Sequence, residues 1–337
     1  MFKIHQRRYL GNKAKVLDLI EDVIRKNIGE FHSFCDIFAG TGSVGAYFND
    51  ENKKIILNDF LYHNYVTINA FLSSENFDEK KIKDLINELN QLESKEENYF
   101  SINFGGRYFC KKNAIKIGAI REKIKEWFVS GAINRKEKNI LLTSLIYSID
   151  KIANTVGHYD AYIKKEIKEK DLILKVLEID NEKNKKNEIY NMDANVLIRE
   201  IECDVLYIDP PYNSRQYSNM YHVLENLALW QKPEVKGVAK KFDTSHLKSG
   251  YNQKNAINFF EDLILNAKAQ YILLSYNNMG NKGHSRSNAR ISDEDILKVL
   301  RQRGKVEIFE KEYKEFTTGK SKRGENKERV FFVEIVK

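Results

Sequence analysis

Apolar residues at the start of the chain change from helical spacing to strand spacing. Residues 16–24 place apolar side chains at intervals of three and four, which predicts an amphipathic helix that stops near Gly29. Apolar runs at residues 34–38 and 55–59 predict two strands, and a glycine-rich turn at residues 39–45 follows the first of them. A strand, a glycine turn, a helix and a second strand are typical of the opening of a parallel α/β sheet.

The pattern changes between residues 71 and 186, where helical spacing dominates. Helices are predicted at residues 81–92, 113–128 and 138–149, with no strand of comparable strength between them. The charged stretch at residues 181–187 predicts a solvated connection. We therefore expect a mainly helical insertion at residues 71–186, within a sheet domain formed by residues 1–70 and 187–337.

Strand patterns resume after this segment. Three further strands are predicted at residues 188–192, 204–208 and 271–275. Alternating residues at 305–316 and 329–336 predict a C-terminal β-hairpin on an edge of the sheet. The expected fold class is therefore α/β.

Composition narrows the class of protein. A net charge of +8 favours a polyanionic partner, although such a charge alone is a weak indication. The cysteines and the seven histidines are scattered, so we expect neither disulfides nor a metal site. No apolar run reaches the roughly 20 residues that span a bilayer, and the polar start resembles no signal peptide, so no membrane association is expected.

A reducing, cytoplasmic compartment fits the scattered cysteines, and abundant Lys, Asn and Ile indicate an AT-rich, bacterial genome. The three cysteines are Cys35, Cys110 and Cys203.

The glycine turn carries the first candidate chemistry. Gly40, Gly42 and Gly45 satisfy the pattern G-x-G-x-x-G, in which glycines allow a tight turn and a close approach of the backbone to a ligand. The pattern predicts a nucleotide-type cofactor. Dinucleotide-binding oxidoreductases share it, so the turn alone does not choose between cofactors.

The residues around the turn favour a methyl donor. Asp36 and Phe38 extend the pattern to D-x-F-x-G-x-G, which resembles the first motif of methyltransferases that bind S-adenosylmethionine. Asp59 closes the next strand, where a carboxylate can accept hydrogen bonds from ribose hydroxyls, and Phe60 follows it. We expect all four residues, with Gly40 and Gly42, to contact the cofactor.

Asp209-Pro210-Pro211-Tyr212 follows the apolar strand at residues 204–208 and is the most specific motif of the chain. The prolines fix φ and hold their carbonyls stiffly outward as acceptors. A base amine is a poor nucleophile, and two acceptors on its protons direct its lone pair toward a methyl group. The Asp209 carboxylate and the Pro210 carbonyl suit that role, while Tyr212 can stack on a base turned out of its duplex.

Two further observations point to adenine. The chain has no Pro-Cys dipeptide, so the usual nucleophile for methylation at cytosine carbon 5 is missing. The acid of the motif is Asp, whereas a serine there would favour cytosine N4. The motif thus predicts transfer to the N6 amine of adenine.

Together these motifs resemble the Dam-like α-group of N6-adenine DNA methyltransferases, which includes modification enzymes of restriction systems. The resemblance covers nearly the whole chain. It implies a Rossmann-like S-adenosylmethionine-dependent methyltransferase sheet, a helical target-recognition lobe at residues 71–186, and double-stranded DNA as substrate. It also implies a separate cognate restriction endonuclease as a partner in the cell.

The same resemblance assigns four more cofactor contacts. The stretch at residues 9–13 resembles the family's opening motif, which implies that Tyr9 and Lys13 close over the methyl donor. Many relatives have Gly-Gly-Lys where this chain has Gly-Asn-Lys, and Asn tolerates a left-handed φ. Asp193 resembles the acid that contacts the adenine edge of the cofactor, and Asp209 borders the cofactor as well as the base.

Other segments remain open. We expect residues 213–219 to form a lid near the extruded base and the basic loop at residues 232–248 to contact DNA, while His222 is expected to be structural. Three other functions stay as alternatives: an RNA base-amino methyltransferase, a nicotinamide oxidoreductase based on the glycine pattern, and a regulator that binds without turnover.

Overall fold

A mixed sheet of seven strands forms the centre of the computed structural model, which describes residues 1–7, 9, 13, 16–212, 214–276, 289–313 and 326–336. The strand order is β3-β2-β1-β4-β5-β7-β6, with β7 antiparallel to both of its neighbours and the other pairs parallel. The predicted α/β class and the C-terminal hairpin at a sheet edge are confirmed. The strands are β1 (Ser33–Asp36), β2 (Lys54–Asn58), β3 (Glu188–Tyr190), β4 (Cys203–Ile208), β5 (Ala269–Ser275), β6 (Val306–Tyr313) and β7 (Asn326–Glu334).

Helices cover both faces of this sheet. They are α1 (Leu17–Asn27), α2 (Ser43–Phe48), α3 (Tyr62–Leu72), α4 (Glu79–Gln91), α5 (Tyr99–Phe104), α6 (Lys111–Val129), α7 (Arg135–Ile152), α8 (Ala194–Leu197), α9 (Tyr217–Met220), α10 (His222–Leu229), α11 (Ala256–Asn266) and α12 (Asp293–Leu300). Within the described residues, no helix is long and apolar enough to cross a bilayer.

Alternation along the strands divides the hydrophobic core in two. In β4, Val205 and Tyr207 belong to one cluster, whereas Leu206 and Ile208 belong to the other. The first cluster includes residues of α1, α3 and the helices α4–α7, and the second includes residues of α8, α11 and α12. The molecule is therefore a three-layer arrangement, because each strand buries side chains on both faces.

The segment between β2 and β3 contains helices α3–α7, followed by residues 153–187 without a helix, and its helices pack on the sheet domain. Helix α7 lies against α3, where Lys136 donates to Asn69 O at 2.8 Å and Asn139 donates to Asn69 Oδ1 at 2.8 Å. Buried residues of α6 and α7 join the same hydrophobic cluster as the sheet residue Phe34. This continuity fixes the helical segment against the sheet domain.

The first strand ends two residues earlier than its apolar run predicts. Residues 37 and 38 form a turn instead, although Ile37 N still donates to Tyr207 O of β4 at 3.3 Å and Ala39 N donates to Asn58 O of β2 at 2.9 Å. Residues 37 and 38 are apolar because they pack beside the glycine turn, where Ile37 is buried and Phe38 contacts the ring of Tyr251 edge-on.

Candidate active site

The carboxyl ends of three neighbouring strands bring the predicted site residues together. Asp36 ends β1, Asp59 follows β2 and Asp209 follows β4, and β1 lies between the other two strands. All three side chains line one cavity. In open α/β sheets, ligands bind beyond these strand ends, where the strand order changes direction.

Most of the residues predicted from the sequence line this cavity. Gly42 is an exception, because it lies behind the turn and outside the cavity lining. Positions 10, 11 and 12 of the opening motif and position 213 of the expected lid lie outside the described residues. The predicted residues that line the cavity are Tyr9, Lys13, Asp36, Phe38, Gly40, Asp59, Phe60, Asp193, Asp209, Pro210, Pro211 and Tyr212.

Two glycines of the turn have backbone conformations that disfavour other residues. Gly40 has φ = 55° and Gly42 has φ = 76°. A Cβ on Gly42 would lie 3.1 Å from Ile4 Cδ1 and 3.2 Å from Ile68 Cγ1, so this glycine permits close packing behind the turn. Gly40 lines the cavity, and its amide donates to Asp59 Oδ2 at 2.8 Å.

Asp59 is held by the groups around it. Its Oδ1 accepts from the amide of Leu61 at 2.9 Å and from Asn64 Nδ2 at 3.1 Å. Burial raises the pKa of Asp59 to about 6, although these hydrogen bonds and the one from Gly40 oppose the rise. The side chain is therefore fixed at the end of β2 before any ligand arrives.

Asp209 forms an ion pair with Lys13, which also contacts Glu328. Lys13 Nζ lies 3.3 Å from Asp209 Oδ1 and 3.5 Å from Glu328 Oε2, so one lysine bridges two acids. Burial raises the pKa of Asp209 to about 6; Lys13 opposes this rise and Glu328 adds to it. Burial alone would lower the pKa of Lys13, but Asp209, Tyr207 and Glu328 together raise it well above its ordinary value.

Asp36 is deeply buried, with only 1% of its surface exposed. Burial raises the pKa of Asp36 well above its ordinary value, and Asp209 and Asp59 add to the effect. Within the described part of the chain, its Oδ1 is buried without a hydrogen-bond partner. A buried acceptor of this kind favours a ligand that brings a donor into the cavity.

The rings of Tyr9, Tyr212 and Tyr217 line the cavity and pack against further tyrosines behind it. Tyr9 stacks on Tyr221 with ring centres 4.5 Å apart and on Tyr217 with ring centres 5.6 Å apart. Tyr212 meets Tyr276 edge-on, with ring centres 5.9 Å apart. Tyr9 and Tyr212 belong to the motifs found in the sequence, whereas the stacking of Tyr217 and Tyr221 on Tyr9 follows only from the fold.

Asp193 has a contact that explains its position without a ligand. Its Oδ1 accepts from the amide of Asn195 at 2.8 Å and thereby caps the short helix α8. The side chain also lines the cavity. A contact between Asp193 and a cofactor stays a prediction.

Sequence reasoning missed several residues of the site. Tyr217 falls in the segment expected as a lid, but it lines the cavity itself. Tyr251 and Asn252 reach the cavity from a loop for which no motif gave a signal. Glu328 contacts Lys13 from β7, 315 residues away, and neither spacing nor composition could reveal that pairing.

Comparison with known proteins identifies the family of this chain. The family described as D12 class N6 adenine-specific DNA methyltransferase matches residues 9–281 of this chain, which include the glycine turn and the strand-end acids. The chain belongs to this family. The resemblance to N6-adenine DNA methyltransferases is thereby confirmed.

Individual relatives of this D12-family chain are named as a modification methylase or as type II methyltransferases. It is 36% identical to the modification methylase LlaI of Lactococcus lactis subsp. lactis over 95% of this chain and 53% of that protein. It is 34% identical to the type II methyltransferase M.FokI of Planomicrobium okeanokoites over 97% of this chain and 52% of that protein. The chain therefore spans about half the length of these two relatives.

A third relative is similar over its whole length. The type II methyltransferase M.NlaIII of Neisseria lactamica is 34% identical, and the match covers 95% of each protein. Among the described residues of the D12-family chain, no group of three or more His, Cys, Asp or Glu side chains is arranged to hold a metal ion.

Proposed function

We propose that this protein transfers the methyl group of S-adenosylmethionine to N6 of an adenine that has been turned out of double-stranded DNA. One observation carries the proposal: residues 209–212, at the end of β4, share a cavity with the glycine turn after β1. The residues proposed to accept hydrogen bonds from an amine and the turn proposed to hold a nucleoside therefore line the same cavity. Membership of the D12 family supports this assignment.

The charge of the cavity favours a cationic cofactor. Its described lining contains the carboxyl groups of Asp59, Asp193 and Asp209, against the single lysine Lys13, and it also contains Asp36, whose burial raises its pKa and favours the uncharged form. A sulfonium and an ammonium group complement such a lining, whereas the diphosphate of a nicotinamide dinucleotide would be repelled by it. This argues against the oxidoreductase that the glycine pattern alone leaves open.

The residues present fit S-adenosylmethionine. Asp59 is positioned to accept from ribose hydroxyls, the open acceptor of Asp36 suits the amino-acid ammonium, and the turn at Gly40 allows close approach of the backbone. Bound there, S-adenosylmethionine supplies an electrophilic methyl group on sulfur. We assign contacts with this cofactor to Tyr9, Phe38, Phe60 and the stem of Lys13, and a contact with its adenine edge to Asp193.

The remaining residues act on the base. Asp209 and the carbonyl of Pro210 accept hydrogen bonds from the adenine amine, which draws its lone pair out of the ring and toward the methyl group. The ring of Tyr212 stacks on the extruded base, and Pro211 stiffens the backbone between them. Their main contribution is to position the amine for in-line attack.

We assign target recognition to the helical segment at residues 71–186 and the chemistry to residues 1–70 and 187–337. Because one relative is named a modification methylase and another a type II methyltransferase, the chain is proposed to be the modification half of a restriction-modification system with a separate endonuclease. Both assignments rest on family membership and on the packing of these helices against the sheet domain.

The direct test is methyl transfer with labelled S-adenosylmethionine to duplex DNA and to structured RNA of matched base composition. We expect label in DNA, and N6-methyladenine as the modified nucleoside after digestion and mass spectrometry. Label in RNA alone would favour the RNA methyltransferase, and N4-methylcytosine would overturn the assignment of the base. A protein that binds S-adenosylmethionine and DNA but transfers no label would be a regulator.

A further inference from the structure

A small hairpin lies within the basic loop that follows α10. Lys236 N donates to Lys241 O at 2.7 Å, and Lys241 N donates to Lys236 O at 3.0 Å. Gly237 and Lys240 adopt left-handed φ values of 70° and 53°, which turn the chain at its tip. Val238 stands at this tip with 72% of its surface exposed. We call residues 236–241 the basic hairpin.

Buried side chains hold the basic hairpin in place. Ala239 O accepts from the hydroxyl of Tyr108 at 3.0 Å and lies 2.7 Å from Nε2 of His222. Tyr108 and His222 are both fully buried, which agrees with the structural role expected for that histidine. The hairpin thus presents an exposed apolar side chain at the tip of an anchored turn.

The basic hairpin adjoins the segment at residues 154–162, and that segment contacts helix α9. Lys241 of the hairpin forms an ion pair with Asp160 at 2.5 Å. The neighbouring Tyr159 N donates to Met220 O at 2.7 Å. Met220 is the last residue of α9, which begins at Tyr217. These contacts join the hairpin to α9, whose first residue lines the cavity.

The charge of the surrounding loop fits a polyanion. Residues 232–248 contain five lysines and two acids. Lys232 and Lys241 are paired with Glu122 and Asp160 on neighbouring segments, which fixes two points of the loop. The side chain of Lys236 is 77% exposed, and its ion pair with the equally exposed Glu234 is too solvated to hold it.

We propose that the basic hairpin is a DNA-contacting element, with Lys236 and Lys240 on backbone phosphates and Val238 entering the duplex beside the extruded adenine. The proposal rests on the proposed function. Extruding a base leaves an unstacked step in the duplex, and apolar side chains at such steps lower the cost of unstacking. Lysines on either side of the tip would fix its register on the phosphates.

The first test removes the two lysines. For K236A/K240A, with saturating S-adenosylmethionine, we expect Kd for a duplex to rise about tenfold near 0.1 M salt, and the slope of log Kd against log salt to fall by about two. The matched control is K26A/K305A, which removes the same charge from α1 and from the residue before β6, the edge strand that α1 contacts. A loss in the control as large as in the hairpin variant would overturn the proposal, because net charge would explain both.

The second test concerns the tip. With 2-aminopurine at the target position, we expect V238S to slow the fluorescence rise that reports base extrusion by about tenfold, with duplex Kd changed less than about twofold. The control V336S alters a similarly exposed valine that follows β7. An unchanged extrusion rate in V238S would remove the tip from the mechanism.

These outcomes separate the two proposals. If the wild-type protein binds S-adenosylmethionine but no duplex DNA, the proposed function fails. If the wild-type protein binds and methylates DNA while both hairpin variants behave like their controls, the inference about the basic hairpin fails alone. If the hairpin variants lose affinity for structured RNA and not for DNA, the partner of this surface is RNA and the inference is overturned.

Discussion

At the scale of single residues, charge dominates the site. Three acids gather at the ends of neighbouring strands, and burial raises the pKa of each of them. In the proposed mechanism Asp209 must be ionised to act as a strong acceptor for the amine, so we expect its charged neighbours to set the pH range of transfer. Lys13 stabilises the charged form, and Glu328 acts against it while holding Lys13 in place.

We predict that the transfer rate falls as the pH decreases through about 6, because protonated Asp209 is a weaker acceptor for the amine. Asp59 has a similar pKa, so the acidic limb of the pH–rate profile, where the rate falls with decreasing pH, does not by itself identify the residue. In K13M the limb should move to higher pH, since the lysine lowers the pKa of Asp209, and in E328Q it should move to lower pH. Single-turnover rates across the acidic and neutral range measure both shifts; a limb that stays fixed in both variants contradicts the assignment.

Substitution of the acceptor itself should separate chemistry from binding. For Asp209→Ala we expect transfer to fall by at least about 10²-fold, while S-adenosylmethionine binding, measured by calorimetry, stays largely intact. Near-wild-type turnover in this variant would remove Asp209 from the catalytic role.

For Tyr212→Ala we expect a loss of rate together with weaker stacking of the base, because stacking on an aromatic ring contributes about 1–3 kcal/mol per base. The fluorescence of 2-aminopurine in the target position reports that stacking. Tyr212→Phe is the matched control and should retain most of the rate, since it keeps the ring. Equal losses in both variants would instead point to the hydroxyl.

At the scale of elements, periodicity predicted the strands and the long helices well and the capping contacts poorly. The helix predicted at residues 113–128 is α6 (Lys111–Val129), and the one at 138–149 is α7 (Arg135–Ile152). Helix α5 was not predicted, because six residues are too few for a clear period. Its start depends on Asn98, whose Oδ1 accepts from the amides of Phe100 and Ser101, both at 3.1 Å.

Gly118 in α6 offers a test of that cap. A Cβ at position 118 would overlap the side-chain amide of Asn98, so G118A should destabilise the protein by roughly 1–3 kcal/mol. In the N98A background, where the amide is gone, the same change should be neutral or stabilising by up to about 1 kcal/mol, because Ala favours a helix over Gly. Urea unfolding of the four proteins measures the cycle; additive effects would show that the two residues do not interact.

At the scale of the whole molecule, the strand order brings distant motifs together at the carboxyl ends of neighbouring strands. The order of motifs along the sequence predicted the fold class and most of the cavity, because the glycine turn, Asp59 and residues 209–212 each follow a strand. The sequence could not predict contacts that depend on packing between distant segments, such as Tyr9 on Tyr221 or Glu328 on Lys13. Such pairs have no periodicity and no local signature.

Binding of S-adenosylmethionine in the cavity at these strand ends should stabilise the whole fold. At about 100 times its Kd, S-adenosylmethionine should add roughly 2.7 kcal/mol to the free energy of unfolding and raise Tm by several degrees. NADH at the same concentration should leave Tm unchanged, because its diphosphate meets the carboxyl groups of the cavity. A larger shift with NADH than with S-adenosylmethionine would favour the oxidoreductase.

The bridge between Lys13 and Glu328 also has a consequence for biosynthesis. A ribosome translates Glu328 315 codons after Lys13. Until β7 has emerged and docked beside β5, Lys13 has Asp209 as a neighbour but lacks the acid that fixes its position. A nascent chain that already contains the glycine turn and residues 209–212 would therefore have an incomplete set of charges around Lys13, and the proposed methyl transfer would require β7 to be in place.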